Sequence, residues 1–167
     1  MNDFAIRDAT GADAAAIAAI YDVHVRGTIV TFELEEVGAE EMARRIAEVH
    51  SRGLPWLVAT EYGRVLGYAH AGPWKSRAAY ARTVETSIYL ADAARGRGLG
   101  KRLYAALIER LRAAGMHVAI GGASLPNPAS TALHEALGFE YVGAFRETGF
   151  KFGRWIDVGY WQLRLQD

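Results

Sequence analysis

The junction after residue 90 constrains this chain more than any other feature. Thr83-Val84-Glu85-Thr86-Ser87-Ile88-Tyr89-Leu90 is rich in β-branched residues and reads as a strand. After Ala91-Asp92-Ala93-Ala94 comes Arg95-Gly96-Arg97-Gly98-Leu99-Gly100-Lys101-Arg102, which opens a helix over 98–114. In that helix Leu99, Leu103, Leu107 and Leu111 recur every four residues, while Arg102, Glu109, Arg110 and Arg112 occupy other faces. A helix with a single apolar stripe needs an apolar surface to lie on, and the neighbouring strand belongs to one. The expected fold class is therefore α/β (α+β), with helices layered on a sheet.

The rest of the chain supplies the remaining layers. A short strand at 4–7 leads through the turn-forming run Asp8-Ala9-Thr10-Gly11-Ala12-Asp13 into a helix over 14–25, with Ile17, Ile20, Tyr21 and His24 on one stripe. A second helix spans 39–51, stopped by Gly53 and Pro55. Residues 56–60 and 65–71 flank Tyr62-Gly63-Arg64 as a hairpin. A strand at 117–123, a helix at 127–137 and a long hairpin over 141–165, turning at Gly153-Arg154, complete the order. The alternating aromatics Phe152, Trp155, Tyr160 and Trp161 read as core and dimer surface, since no basic stripe accompanies them.

Composition narrows the functional classes. A chain of 167 residues with 51% apolar and 23% charged residues makes one ordered domain, 1–167. Nineteen basic and nineteen acidic side chains leave no net charge, which argues against a general nucleic-acid or acidic-membrane partner. With no cysteine there is no disulfide, no thiolate nucleophile and no Cys-ligated zinc. His24, His50, His70, His117 and His134 show no ligand spacing, so no metal is expected. Met1-Asn2-Asp3-Phe4 lacks the basic start of a secretory signal, and no apolar run nears the ~20 residues of a membrane span. A soluble cytoplasmic protein is expected.

The chemistry concentrates in residues 95–102. Three alternating glycines let backbone N–H groups crowd around a bulky anion, and the helix that follows adds its first-turn donors and positive dipole end. Four cations and no acid share these eight residues, which points to a diphosphate site. A Walker loop would need Gly at 95 and Ser or Thr at 102, where Arg95 and Arg102 stand. A dinucleotide fingerprint fails at Lys101. Gly122-Ala123-Ser124-Leu125-Pro126 misses the hydrolase elbow at its last position.

Arg95-Gly96-Arg97-Gly98-Leu99-Gly100 resembles the Arg/Gln-x-x-Gly-x-Gly/Ala pyrophosphate loop of GNAT-superfamily N-acetyltransferases. The wider chain resembles the phosphinothricin and methionine sulfoximine N-acetyltransferase family more narrowly. The matching stretches are 21–32, Trp74-Lys75-Ser76-Arg77-Ala78-Ala79-Tyr80, Thr83 to Tyr89, Leu125-Pro126-Asn127-Pro128-Ala129-Ser130, Leu133 to Phe139, and Gly149-Phe150-Lys151-Phe152-Gly153-Arg154-Trp155. The resemblance implies a mixed central sheet splayed between the strands at 83–90 and 117–123, with helices on both faces. Acetyl-CoA would enter the splay, with its diphosphate on 95–101 and its pantetheine arm against the backbone of Ile88, Tyr89 and Leu90. Asn127, the cap of the next helix, would also hold that arm. Lys75, Ser76, Arg77, Glu85, Thr86 and Ser87 would line the acceptor pocket. Thr31-Phe32-Glu33 resembles a segment that family members contribute across a homodimer. The implied acceptor is a small amino-acid-like amine.

Acetyl transfer to an amine needs a base, because an ammonium has no lone pair, and an acid or dipole for the departing thiolate. Glu85 is an acid within a β-rich run, and burial there would raise its pKa toward neutrality; solvent exposure or pairing with Arg82 is the other reading. His134 stands where many GNAT enzymes carry a proton-donating tyrosine, and imidazolium, near ~6.5, is the better acid at neutral pH. A nearby tyrosine is the alternative donor. A polyamine enzyme of the same fold would want an acidic acceptor pocket, against which Lys75, Arg77 and Arg82 argue. A non-catalytic coenzyme A-binding module would keep the glycine loop but not need Glu85.

Overall fold

The computed structural model describes residues 4–166, so the reading of Met1-Asn2-Asp3 lies outside the described residues. Strand β1 (Ala5–Asp8) leads into helices α1 (Ala14–Gly27) and α2 (Gly38–Ser51). Strands β2 (Trp56–Glu61), β3 (Arg64–Pro73) and β4 (Thr83–Leu90) follow as a meander, then helix α3 (Leu99–Ala113) and strand β5 (Val118–Ser124). Helix α4 (Pro128–Ala136) precedes the hairpin of β6 (Glu140–Lys151) and β7 (Arg154–Arg164). The sequence reading gives this order and most boundaries within two residues. It lacks the 3-10 turns at Gly11–Asp13, Ala78–Tyr80 and Asp92–Ala94, which are too short to show a period.

All seven strands join one sheet in the order β1-β2-β3-β4-β5-β7-β6. Every neighbouring pair is antiparallel except β4 and β5, which are parallel because α3 carries the chain back across the sheet. That parallel pairing runs only from Thr83 with Val118 to Thr86 with Gly121. Beyond it β4 remains paired with β3 through Leu90, so one edge of Ser87-Ile88-Tyr89-Leu90 carries unpaired backbone groups. The splay expected between these strands is present. A side chain from α4 helps hold it: a methyl group at Gly121 would lie 2.2 Å from His134 Nε2.

Helices cover both faces, and each face has its own core. Under α3, the stripe Leu99, Leu103, Leu107 and Leu111 is completely buried with Val84, Ala119 and Trp161. Under α1 and α2, Ile17, Met42 and Ile46 pack on Trp56, Val58 and Tyr68. Alternation along β4 therefore sends Val84 and Thr86 toward α3 and Glu85 toward the opposite face. Among the described residues no helix is long and apolar enough to cross a membrane.

The α3 stripe sets the stability of the face on which the glycine loop rests. Leu107→Ala removes a fully buried side chain and is expected to cost about 2–5 kcal/mol, read as a lowered urea midpoint with an unchanged slope.

Candidate functional site

Between the diverging strands lies a cleft of about 480 Å³. One wall is Thr86 to Leu90, and its end is formed by Arg95, Gly96, Gly98 and Gly100. Gly96 (φ +71°) and Gly98 (φ +74°) take left-handed conformations that favour glycine, and nothing lies within 4 Å of a methyl group at either. Gly100 is glycine for a different reason: a methyl there would meet Leu90 Cδ1 at 3.2 Å, so its absence lets α3 approach β4. Gly98 caps α3, and the N–H groups of Leu99, Gly100 and Lys101 follow in a first turn that has no intrahelical acceptors for them. These donors and the positive helix end suit an anion.

The side chains of the loop divide differently from the expectation. Arg97 turns away from the cleft onto Glu61, with contacts of 2.6 and 3.2 Å, and its guanidinium lies 4.7 Å from the Phe4 ring centre. Leu99 belongs wholly to the core, so only its backbone is available to a ligand. Arg95 lines the cleft with Asp92 3.3 Å away, and Lys101 is exposed. The four cations thus are not four anion ligands: Glu61, 36 positions from Arg97 in the chain, neutralises one of them. Across the cleft, Asn127 Oδ1 accepts the Ser130 N–H at 3.1 Å, the cap read from the sequence, and Asn127 also lines the cleft.

His134 is almost entirely buried, and that burial pushes its pKa down. Its Nδ1 lies 2.7 Å from the Ser130 carbonyl oxygen and 3.2 Å from Ser130 Oγ. A carbonyl only accepts, so Nδ1 carries a proton, and Nε2 is hydrogen-bonded with the Tyr104 hydroxyl at 3.1 Å. Tyr104 bonds Thr86 Oγ1 in turn. Enclosure by Phe139, Trp161 and Tyr104 favours the uncharged form of the ring, while the bond to the Ser130 carbonyl favours the charged one.

Glu85 lies on the other face of β4. The surrounding protein pushes its carboxyl above the ordinary range, and Lys75, not Arg82, draws it back down. The residue is exposed, one of the readings that its strand left open. Its register partners are Gly72 on β3 and Ile120 on β5, and Gly122 lies beside its carboxylate, so two of these three neighbours carry no side chain over it. Lys75, Ser76 and Arg77 are exposed on the turn leading toward β4, with Lys75 Nζ 4.9 Å from the Trp74 ring centre. Thr86 does not join this group: buried and bonded to Tyr104, it lines the cleft on the α3 side. Ser87 lines the cleft and also a second cavity, of about 310 Å³, under α2. Phe32 packs on its own chain, its ring 2.3 Å from where a methyl at Gly149 would lie. Lys151 Nζ donates to the carbonyl of neighbouring Thr31 at 2.9 Å.

The pattern of the acetyltransferase (GNAT) domain matches residues 6–159. The chain belongs to the GNAT acetyltransferases. It is 44% identical over 164 residues to an L-methionine sulfoximine/L-methionine sulfone acetyltransferase of Pseudomonas aeruginosa, covering 96% of this chain and 94% of that one. It is 41% identical over 157 residues to a phosphinothricin N-acetyltransferase of Streptomyces viridochromogenes, covering 94% and 85%. A solved phosphinothricin acetyltransferase of Sinorhizobium meliloti, in complex with acetyl-CoA, superposes with a TM-score of 0.94 at 41% identity, covering 98% of this chain and 89% of that one.

Within this GNAT domain the cleft also holds residues the sequence reading did not single out. His24 is buried beside Tyr89, with ring centres 5.6 Å apart, and lines the cleft with Tyr104 and Gly122. His24 lies on the apolar stripe of α1, and Tyr104 directly follows a leucine of the α3 stripe. A polar tip on an otherwise apolar helix face was the available signal for each.

The acetyltransferase's buried histidines also set its acid stability. Burial lowers the pKa of His24 and His134, and holds His70, stacked 4.0 Å from Trp56, down at about 4. Unfolding returns them to about 6.5, so the unfolded chain binds more protons as pH falls through that value. Stability is expected to decline from about pH 6.5 toward pH 4, and His70→Gln to flatten that decline in urea melts taken at successive pH values.

Proposed function

We propose that this acetyltransferase moves the acetyl group of acetyl-CoA onto the amino group of a small amino-acid-like acceptor, of the phosphinothricin, methionine sulfoximine or methionine sulfone class. The observation that carries this reading is the accessible carboxylate of Glu85, raised by its surroundings, beside Gly72 and Gly122 and with Lys75 as its charged neighbour. An amino acid brings an ammonium and a carboxylate. Glu85 suits the first, and the exposed cations Lys75 and Arg77 suit the second and any tetrahedral oxygens on the side chain. Both named relatives act on amines of this kind by their names. The same cations disfavour a polyamine, which would need acidic neighbours. A module that only bound coenzyme A would have no use for an acid held at this position.

In the proposed reaction Glu85 takes one proton from the acceptor ammonium, directly or through a water. The amine nitrogen attacks the thioester carbonyl carbon, and a C–N bond forms as the C–S bond breaks. The unpaired N–H groups along Ser87 to Leu90 are available to the pantetheine arm and to the carbonyl oxygen where negative charge develops. The departing sulfur takes a proton from His134 or from a tyrosine of the cleft, and the nitrogen's second proton replaces it, so protons balance. The bonded chain Thr86, Tyr104 and His134 fixes the wall of the cleft against which this happens.

The same reading includes a homodimer. Tyr141, Phe145, Phe150 and Trp155 of the β6–β7 hairpin are each more than half exposed, an apolar surface of the kind that seeks a partner. Trp155→Glu is expected to move the sedimentation coefficient from dimer to monomer; a monomeric wild type removes the dimer from the proposal.

Glu85→Gln is expected to bind coenzyme A as the wild type does, by calorimetry, and to lose about 10²–10⁴-fold in turnover. In the wild type kcat/KM should fall as pH drops through the raised pKa of Glu85, and the variant should lack that limb. Full turnover by Glu85→Gln rules out the base.

A further inference from the structure

Gly122 stands where the two sides of the sheet communicate. It follows directly on the last β4–β5 pair, Thr86 with Gly121, and it lines the cleft. A methyl group on it would lie 3.7 Å from Glu85 Oε1, on the acceptor side. The preceding Gly121 cannot offer the same passage, because His134 fills the space above it. Unlike Gly96 and Gly98, Gly122 has no positive φ, so its backbone gives no reason for glycine. What it provides is room.

Tyr160 occupies the far side of that room. It is the register partner of Gly122 on β7, and its Cε1 and Cδ1 would lie 3.1 and 3.5 Å from the same methyl group. The ring is braced from two directions, edge-on to Trp74 and to Phe145 with ring centres 5.8 Å away in each case. Burial and the nearby Glu85 charge push its phenol upward, so it stays neutral. An ammonium bonded to Glu85 would have this aromatic pair beside it, and a neutral ring within about 6 Å attracts a cation.

We propose that Gly122 is the aperture through which the acceptor amine passes from Glu85 to the thioester, and that Tyr160 is the specificity-determining wall beside it. The inference rests on the reading of Glu85 as the base. The ring limits how much bulk the carbon bearing the amine can carry. An α-amino acid with one side chain and one hydrogen on that carbon is admitted, and an α,α-disubstituted one is turned away.

The test uses purified full-length protein, methionine sulfone and its α-methyl derivative as acceptors, and calorimetric binding of coenzyme A. Gly122→Ala is expected to lower kcat by about 10²-fold, the scale of an ångström-sized misplacement, with coenzyme A affinity unchanged. Tyr160→Ala is expected to raise KM for methionine sulfone about tenfold, leave KM for acetyl-CoA unchanged, and reduce the preference over the α-methyl compound. Adding Tyr160→Ala to Gly122→Ala should recover about tenfold of the lost kcat, because the methyl group then has space. Wild-type kinetics in Gly122→Ala, or an unchanged acceptor KM and preference in Tyr160→Ala, overturn the proposal. If Gly122→Ala melts early, the Tyr160→Ala measurement decides alone. Full turnover by Glu85→Gln would remove the base while leaving the aperture to be judged by these two variants.

Discussion

Parallel pairing between β4 and β5 stops at Thr86 with Gly121, and the rest of the molecule is arranged around that interruption. Had the ladder continued, Ser87 to Leu90 would have spent both backbone edges on protein, and no cleft would exist. The cost of leaving one edge unpaired is borne by packing on the two sides. On one side the fully buried leucines of α3 clamp β4 from below. On the other, the α4 histidine is wedged over Gly121 and anchored at both ring nitrogens. Neither side can relax without a cavity or an orphaned polar group, so the opening persists in a domain that is otherwise close-packed.

The interruption also separates two kinds of chemistry by the alternation of a single strand. Thr86, pointing toward α3, joins a buried hydrogen-bonded chain with Tyr104 and His134. Glu85, pointing the other way, meets glycines and solvent with a cation nearby. Adjacent residues in the sequence thus face environments that treat charge in opposite ways. Buried and fully bonded, the first set holds shape; accessible and raised, the carboxylate is free to exchange a proton.

Much of this was legible beforehand, and the reasons are specific. The leucine period over α3 and the Asn127-Pro128 start of α4 are local signals, and local signals survive into the fold. The left-handed glycines were visible as an alternation before any backbone angle was known. What could not be read was long-range: the Glu61 partner of Arg97, the glycines beside Glu85, and the aromatic enclosure of His134. Each depends on register between strands or on helix placement, which a spacing rule within one segment does not contain. Thr86 parts from Glu85 because successive strand residues point to opposite faces.

The Arg97–Glu61 pair carries a consequence for how the cradle works. It fastens the glycine loop, between two left-handed residues, to the end of β2, two strands from β4 in the sheet. A loop with so many glycines would otherwise sample many shapes. With its tip tethered, the ordering entropy falls on folding, so the first-turn donors of α3 are held in place beforehand. Preorganisation here comes from a salt link that need never touch the ligand.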